Sequence, residues 1–375
     1  MKIGILTLSA ADNCGSLLQA YAMQTVLKTR FGADAEVLDF RCEGAREMYD
    51  MFPKKPWKYP RKLLNNLRHY PTVSRQKRDY EAFRQNYLTL SARRFSTAEE
   101  LAEAASDYDV VICGSDQVWN VNIPDFHSAY FLGWAGDTRR VAYAPSLGGC
   151  NFSNFPDQAA LKQWLLELSA VSTREQVGVD SVKDVAGLDI PIVPDPTLLI
   201  SPDQWQSVPG ERIIKEPYIF YYSWAYEDDT LNRVVQRYAE KRGLAVYVVD
   251  AFKWPKLKPQ NYGFKMAPAG GPQTFLNLMR YADFAFVQSF HGVIFAYMMG
   301  RDFYLLDNRP VGEMDNRLAS ILKLLNAEDR VARCVEDIRN DPMDYSALPE
   351  SLVESKKIGY TYLENALGVP AVPVG

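Results

Sequence analysis

The sequence has 375 residues, 42 Lys and Arg against 46 Asp and Glu, and a formal net charge of −4. This length exceeds one ordinary hydrophobic core and indicates two domains of roughly 150–200 residues each. The charge excludes a general attraction to nucleic acid, although residues 54–78 contain nine Lys or Arg and no acidic residue.

Cysteine and histidine usage indicates a reducing compartment. Five widely spaced cysteines argue against a disulfide framework, and three scattered histidines predict no metal site built by the protein. The first residues lead directly into a strand pattern without the zones of a signal peptide. No apolar run approaches the roughly 20 residues of a membrane helix. We therefore expect a cytoplasmic protein.

The first half alternates short apolar runs with helical patterns, which is typical of a parallel sheet with crossover helices. The predicted strands cover residues 3–8, 36–40, 108–113, 140–144 and 170–173. The predicted helices cover residues 17–29, about 157–169 and a segment after residue 175, and a helical excursion at 54–90 carries the basic stretch. Three prolines within 191–196 indicate a domain boundary.

The second half repeats this alternation. Its predicted strands cover residues 218–222, 244–249, 284–288 and 303–306, and its predicted helices cover 273–281, 291–299, 317–325 and about 349–366. We expect an α/β protein with two Rossmann-like domains facing a cleft. The N-terminal domain would span 1–195, with the helical basic excursion at about 47–90. The C-terminal domain would span 196–345, and residues 346–375 would pack back on the N-terminal domain.

Polar residues that follow predicted strands are the candidates for chemistry. Asn13, Gly15 and Ser16 lie between a strand and a helix, where a close backbone and free N–H groups suit an anion. A plain turn in which Asn13 caps the helix explains the same residues equally well.

A second polar group, Ser115, Asp116 and Gln117, also follows an apolar strand. The carboxylate of Asp116 could accept a proton from a hydroxyl, and its neighbours could donate hydrogen bonds. Aspartate is also a common helix cap, and the sequence leaves both interpretations open.

Arg174 and His291 are two further candidates. Arg174 suits bidentate binding of a carboxylate or phosphate, with an ion pair to a nearby acid as the alternative. His291 opens a helix after an apolar strand, where a neutral imidazole could act as a base, yet a lone histidine is more often structural. The absence of a P-loop, a nucleophile elbow and an HExxH motif argues against ATP hydrolysis, esterase and metalloprotease chemistry.

Several segments, in chain order, resemble the polysaccharide pyruvyl transferase family. They are NCGSLLQAYA at 13–22, GSDQVWN at 114–120, YAPSLG at 143–148, STRE at 172–175, DPTLL at 195–199, SFHG at 289–292 and NR at 316–317 ahead of LL at 324–325. Together these segments are specific for the family, although no single segment is. The resemblance implies a fold similar to two-domain (GT-B type) glycosyltransferases.

The resemblance also implies an activity. Such an enzyme takes phosphoenolpyruvate as co-substrate and forms a pyruvyl ketal on two hydroxyls of a sugar, releasing phosphate, in exopolysaccharide, capsule or cell-wall glycan biosynthesis. No cofactor is implied, and the sequence does not require a divalent cation. The implied catalytic residues are His291 and Asp116. The implied phosphoenolpyruvate ligands are Arg174, Ser289 and Gly292, and the implied acceptor ligands are Asn13, Gly15, Ser16, Ser115 and Gln117.

One position departs from the family pattern. Many relatives have an arginine two residues before the histidine, where this chain has Ser289. Because the substrate is strongly anionic, we expect Arg317, or Lys265 in a proline-rich loop, to replace that cation.

The expected acceptor is an oligosaccharide linked to a lipid diphosphate, and residues 54–78 could contact the inner face of the membrane peripherally. A solvated helical hairpin explains the same basic residues. Two other functions stay open: glycosyl transfer from a nucleotide sugar on the same scaffold, and a non-catalytic glycan-binding relative.

Overall fold

The computed structural model describes residues 1–53, 57–223, 226–249, 259–310, 312–339 and 341–372. Lys54 and Lys55 of the basic stretch lie outside the described residues. The chain divides into two compact units. The first comprises Met1–Asp50, Arg84–Ile200 and Val353–Gly375, and the second comprises Met51–Phe83 and Ser201–Leu352.

The secondary structure alternates along most of the chain. The strands are β1 (Lys2–Leu6), β2 (Asp34–Phe40), β3 (Leu90–Phe95), β4 (Val110–Cys113), β5 (Arg139–Ala142), β6 (Ala170–Val171), β7 (Tyr218–Tyr222), β8 (Ala245–Val248), β9 (Lys265–Met266), β10 (Phe284–Val287), β11 (Phe303–Leu306) and β12 (Val331–Ala332). The described α-helices are α1 (Cys14–Phe31), α2 (Glu43–Tyr49), α3 (Pro60–Arg68), α4 (Tyr70–Tyr87), α5 (Ala98–Glu103), α6 (Gln158–Leu166), α7 (Gln176–Ala186), α8 (Pro196–Leu199), α9 (Pro202–Gln206), α10 (Asp229–Arg242), α11 (Gly271–Tyr281), α12 (Phe290–Met298), α13 (Asn316–Leu324) and α14 (Glu350–Leu367).

The first unit contains a parallel sheet with strand order β3-β2-β1-β4-β5-β6. Every residue of β4 is buried, as expected for a parallel strand that has helices on both faces of its sheet. The core joins this sheet to aromatic side chains from the loops, including Trp119 and Phe131, whose rings stack at 5.2 Å.

The second unit contains another parallel sheet, with strand order β12-β11-β10-β7-β8-β9. The central strands β7 and β10 are again buried along their whole length. The predicted strands at 218–222 and 303–306 are confirmed, because continuous apolar runs of this length are typical of fully buried strands. In the described part of the chain, no helix is both long and apolar enough to cross a membrane.

Residues Met51–Phe83 of the helical excursion belong to the second unit, whereas the sequence pattern places the whole excursion in the N-terminal domain. The backbone N–H of Gly270 donates to the Asp79 carboxylate on α4 at 2.8 Å. A Cβ atom on Gly271 would lie 3.1 Å from the Asp79 backbone, so glycine allows α4 to approach this closely. These contacts join residues 191 positions apart, which a local sequence pattern cannot reveal.

The C-terminal helix α14 belongs to the first unit from Val353 onward. The hydroxyl of Tyr362 donates to the carbonyl of Ala142 at the end of β5, at 2.8 Å. The hydroxyl of Tyr360 donates to the carbonyl of Leu199 at 2.8 Å. The last helix therefore packs against the unit that contains the first strand of the chain.

Lys356 on α14 gives a pH-dependent prediction. Burial, together with the neighbouring positive charge of Arg30, lowers the pKa of Lys356 from 10.5 to about 8. A charged lysine is therefore less favourable in the folded state, and this cost is fully present below pH 8 and disappears as the pH rises from about 8 towards 10.5. We expect Lys356→Met to increase the free energy of unfolding at pH 7, with a gain that shrinks above pH 8.

Urea unfolding of both proteins between pH 6.5 and pH 9.5 measures this difference, and tyrosine titration cancels in the comparison. Lys357→Met, an exposed neighbour, serves as the control. A gain that is constant with pH would contradict the predicted direction.

Candidate functional site

Each sheet has one place where the strand order reverses. In the first unit it lies between β1 and β4, because the chain first adds strands on the β2 side and then on the β4 side. In the second unit it lies between β7 and β10 for the same reason. Loops that leave adjacent strands in opposite directions open a crevice, where α/β proteins bind ligands. The residues that follow these four strands are therefore the candidate site residues.

Asp116 and Ser16 meet across the reversal point of the first unit. The Ser16 hydroxyl, in the first turn of α1, donates to Oδ2 of Asp116 at 2.5 Å. Oδ1 of Asp116 accepts from the N–H of Gln117 at 2.9 Å. The structure thus joins two predicted site residues from loops 100 positions apart.

The backbone of Asp116 is in the left-handed region, at φ 74°. Two other non-glycine residues adopt this conformation soon after a strand: Ala144 after β5, at φ 52°, and Tyr226 after β7, at φ 46°. Such conformations cost about 1–3 kcal/mol each and persist where the surrounding structure enforces them, often at functional sites. Three of the five such non-glycine residues in the described chain therefore lie soon after a strand, and the other two, Leu132 and Asn326, do not.

The carboxyl end of the first sheet is rich in carboxylates. Burial, together with the nearby Asp116 carboxylate, raises the pKa of Asp125, which accepts a hydrogen bond from Tyr49 at 3.3 Å. Burial and the negative charges of Asp125, Asp116 and Asp12 raise the pKa of Tyr49 well above its usual value. Arg84 forms a buried ion pair with Asp12 at 2.9 Å. The side chains of these acids are buried, and Arg84 offsets the charge of one of them.

The turn at the start of α1 is a helix cap. Oδ1 of Asn13 accepts hydrogen bonds from the N–H groups of Gly15 at 2.9 Å and Ser16 at 3.3 Å. The turn is therefore a helix cap, in which the N–H groups of Gly15 and Ser16 donate to Asn13. Ser16 is the residue of the turn that reaches Asp116.

Ser115 and Gln117 also make internal contacts. Ser115 is fully buried, and its hydroxyl lies 2.9 Å from both the Ala144 carbonyl and Oδ2 of Asp195. It therefore positions the loop, and its role as an acceptor ligand stays a prediction. Oε1 of Gln117 accepts from the side-chain amide of Asn120 at 2.8 Å.

Arg174 forms a buried ion pair with Asp195. Its Nη1 atom lies 2.7 Å from Oδ2 of Asp195, and both side chains are buried. Asp195 also accepts hydrogen bonds from the backbone N–H and the hydroxyl of Thr197. The structure therefore favours the ion-pair alternative for Arg174, although the partner is an internal acid rather than one on the surface.

Glu175 is a residue whose role the sequence analysis missed. It is buried, and its Oε1 atom accepts hydrogen bonds from the Ser146 hydroxyl at 2.8 Å and from the N–H groups of Leu147 at 2.9 Å and Gly148 at 3.2 Å. One carboxylate thus holds the loop that follows β5. The sequence does show an acid, Glu175, just after a predicted strand. It could not show which groups that acid binds, because they lie 27 to 29 positions earlier in the chain.

Gly148 in this loop gives a stability prediction. It has φ 64°, and a Cβ atom would lie 2.2 Å from the Asn120 side chain and 2.3 Å from that of Gln117. We expect Gly148→Ala to lower the free energy of unfolding by about 2–4 kcal/mol, because backbone strain and overpacking add. Urea unfolding measures the change.

Gly149 is the matched control, since it has φ 86° but nothing within 4 Å of an added Cβ. Gly149→Ala should cost only the backbone term of about 1–2 kcal/mol. Equal losses in the two variants would show that crowding at position 148 is unimportant.

His291 lies at the reversal point of the second unit. It is in the first turn of α12, directly after β10, and its ring contacts the Phe290 ring edge-on at 5.3 Å. Ser289 is the N-cap of this helix, and its hydroxyl accepts from the N–H of Gly292 at 3.0 Å. Ser289 and Gly292 therefore orient the helix that carries His291, which accounts for both residues without an anion.

A second hydrogen bond spans this reversal point. The Ser223 hydroxyl, just after β7, donates to Oε1 of Gln288, just after β10. Its position corresponds to that of the Ser16–Asp116 bond in the first unit. The sequence analysis assigned no role to either residue, although a polar residue directly after a buried strand was a usable signal.

The two proposed substitute cations occupy different places. Arg317, in the first turn of α13, forms a bidentate ion pair with Asp315 at 2.6 and 3.0 Å. Helices α12 and α13 follow neighbouring strands and pack together, so Arg317 and His291 are both at the carboxyl edge. Lys265 is not in a loop but begins β9, where its ammonium group pairs with Glu216 at 2.7 Å. Strands β7 and β8 separate β9 from β10, so Lys265 lies far from His291.

Over the described ranges, no group of three or more His, Cys, Asp or Glu side chains could hold a metal ion. The candidate site residues are the Asp116–Ser16 pair in the first unit and His291 in the second.

These features define a class of protein. Two parallel six-stranded sheets with interleaved helices make two Rossmann-like domains of the GT-B type. The chain belongs to the polysaccharide pyruvyl transferase family, whose model matches residues 13–310. The predicted fold class and family are thereby confirmed. Comparison with curated proteins gives no match.

Solved structures with the same fold include sugar-nucleotide epimerases. UDP-N-acetylglucosamine 2-epimerase from Rickettsia bellii has a TM-score of 0.54 and 12% identity, over 98% of this chain and 95% of that chain. The UDP-GlcNAc 2-epimerase from Neisseria meningitidis bound to UDP-GlcNAc has a TM-score of 0.51 and 11% identity, over 97% and 100%. At such identities, the likeness concerns the fold alone.

Proposed function

We propose that this chain transfers the pyruvyl group of phosphoenolpyruvate to two hydroxyls of one sugar residue, forming a cyclic ketal and releasing phosphate. The acceptor would be a glycan in exopolysaccharide, capsule or cell-wall biosynthesis. The observation that carries the proposal is the family match over residues 13–310. The position of His291 at the carboxyl edge of β10 agrees with it.

The reaction balances as follows. The methylene carbon of phosphoenolpyruvate gains a proton and becomes a methyl group, which leaves the central carbon cationic. One sugar hydroxyl attacks this carbon, the carbon–oxygen bond to phosphate breaks, and the second hydroxyl attacks to close the ketal. The two hydroxyls lose two protons, of which one balances the methyl group and the other the phosphate. The enzyme must therefore supply an acid and a base.

We assign the acid to His291 and the acceptor base to Asp116. The negative charges of Asp125, Asp116 and Asp12 act together on Tyr49, and carboxylates suit hydroxyl donors better than the anionic phosphoenolpyruvate. This charge distribution supports placing the acceptor sugar at the first unit, with Ser16 orienting Asp116. Arg174 and Arg317 are both paired with acids, and a substrate anion would have to compete for either of them.

Phosphate release tests this function. Purified protein is mixed with phosphoenolpyruvate and with galactose-, glucose- or N-acetylmannosamine-containing acceptors, linked to lipid diphosphates or nucleotides. Acceptor-dependent phosphate release, with the product mass of a pyruvyl ketal, supports the proposal. No turnover with any acceptor, together with binding of a nucleotide sugar, would instead indicate glycosyl transfer. Binding of a glycan without any turnover would indicate a non-catalytic relative.

Asp116→Asn separates the role of this residue in catalysis from its role in folding. Asparagine tolerates positive φ almost as well as aspartate, so we expect the free energy of unfolding to change by less than about 1 kcal/mol. The rate constant kcat should fall by about 10²–10⁴-fold, because the amide cannot accept the hydroxyl proton.

Ser16→Ala is the matched control for Asp116→Asn, since it removes the hydrogen bond but keeps the carboxylate. Its kcat should fall by less than about tenfold, corresponding to one hydrogen bond. A wild-type kcat in Asp116→Asn would remove Asp116 from the mechanism.

A further inference from the structure

Helix α3 turns its leucines outward. Leu64 and Leu67, three residues apart and thus on one face, are 66% and 53% exposed. The opposite face carries the buried Asn66, whose side-chain amide donates to the Met51 carbonyl at 2.6 Å. The helix therefore anchors itself through a polar residue and presents an apolar face to its surroundings, the reverse of an ordinary surface helix.

Further exposed apolar side chains flank the helix in sequence. Trp57, just before α3, is 78% exposed, the highest value among the exposed large hydrophobic side chains of the described chain. Tyr70 and Phe52 are also exposed, and their rings stack with centroids 6.3 Å apart. We call Phe52, Trp57, Leu64, Leu67 and Tyr70, with the arginines described next, the α3 surface. Five exposed large apolar side chains within residues 52–70 favour an interaction site over a solvated face.

The charges around the apolar residues all have one sign. Arg61 and Arg68 are exposed and share the face of Leu64. Residues 57–78 contain seven Lys or Arg and no Asp or Glu, whereas the complete chain has a net charge of −4. The rest of the chain therefore has a net charge of −11, since −4 minus 7 is −11. The positive charge is thus concentrated in this segment of the sequence and is not a property of the whole protein.

We propose that the α3 surface docks on an anionic lipid bilayer. Leucine and tryptophan side chains enter the interface between headgroups and acyl chains, while the arginines bind lipid phosphates. Charge complementarity favours an anionic bilayer over a twofold dimer, because two copies joined through this surface would place one basic surface against another. The contact is peripheral and reversible, because a single nine-residue helix supplies it. The inference does not depend on the reaction that the chain catalyses.

Vesicle flotation tests the proposal with the full chain. Wild-type protein should float with vesicles that contain 30% phosphatidylglycerol at low salt, and not with pure phosphatidylcholine, and salt should weaken the binding. Arg61→Glu/Arg68→Glu should reduce binding at least tenfold. Trp57→Ser/Leu64→Ser/Leu67→Ser should also reduce it, while keeping the salt dependence.

Two control variants match these changes. Lys241→Glu/Lys323→Glu alters the net charge equally at exposed positions outside the α3 surface, and Leu166→Ser removes an exposed leucine of the first unit. Both should bind vesicles as the wild type does. All variants should release phosphate normally with a soluble nucleotide-linked acceptor, so failure of the docking proposal is distinguishable from failure of the proposed function.

Four results would overturn the docking proposal. The first is that the wild type does not float with anionic vesicles, and the second is that it floats equally with neutral vesicles. The third is that Lys241→Glu/Lys323→Glu loses as much binding as Arg61→Glu/Arg68→Glu. The fourth is that light scattering shows a dimer which only the α3-surface variants disrupt. The last result would identify a second copy of the chain as the occupant.

Discussion

Replacing His291 with alanine should reduce kcat/KM for pyruvyl transfer by about 10²–10⁴-fold, the usual contribution of one general acid or base. The side chain is only partly buried, in the first turn of α12, and the helix cap uses Ser289 and Gly292 instead. The thermal midpoint of unfolding should therefore change little. Phosphate release from phosphoenolpyruvate with a saturating acceptor measures the effect.

A solvent-isotope readout makes the role of His291 specific. In D₂O the wild type should place one deuterium in the ketal methyl group, because the acid delivers a solvent-derived proton to the methylene carbon. His291→Ala should lose both deuterium incorporation and phosphate release. His69→Ala is the control, since His69 follows α3 and has no proposed role in the reaction. Wild-type turnover in His291→Ala would reassign the acid.

Replacing Asp195 with alanine should lower the free energy of unfolding by about 3–5 kcal/mol, the usual cost of leaving one partner of a buried ion pair alone. The change leaves the guanidinium of Arg174 without its carboxylate and removes an acceptor from Ser115 and Thr197. Urea unfolding measures the loss.

The double variant Arg174→Met/Asp195→Leu provides the matched comparison. Removing both charges avoids the unpaired cation, so it should cost less than Asp195→Ala alone. A loss of less than about 1 kcal/mol in Asp195→Ala would contradict the buried pair. If Arg174 also contacts phosphoenolpyruvate, the double variant should raise the KM for that substrate, whereas a purely structural pair leaves the KM unchanged.

The sequence by itself determined the local elements, the fold class and the family. Buried parallel strands are continuous apolar runs, so the segments 218–222 and 303–306 were predicted with their observed bounds. Three edge strands were missed. Strand β3 has three consecutive exposed residues that hide its apolar pattern, and the two residues of β9 or of β12 carry no periodic signal. The motifs placed His291 and Asp116 after strands, where the structure has them.

Only the tertiary structure decided what each polar side chain contacts. Asn13 and Ser289 cap helices, Ser115 is fully buried, and Arg174 pairs with Asp195. A strand-to-helix loop suits a cap and a ligand equally well, because both use the same donors and acceptors. The helical excursion likewise joins the second unit through contacts 191 positions apart. These contacts depend on the order of the strands in the sheet. The local spacing of residues in the sequence does not encode that order.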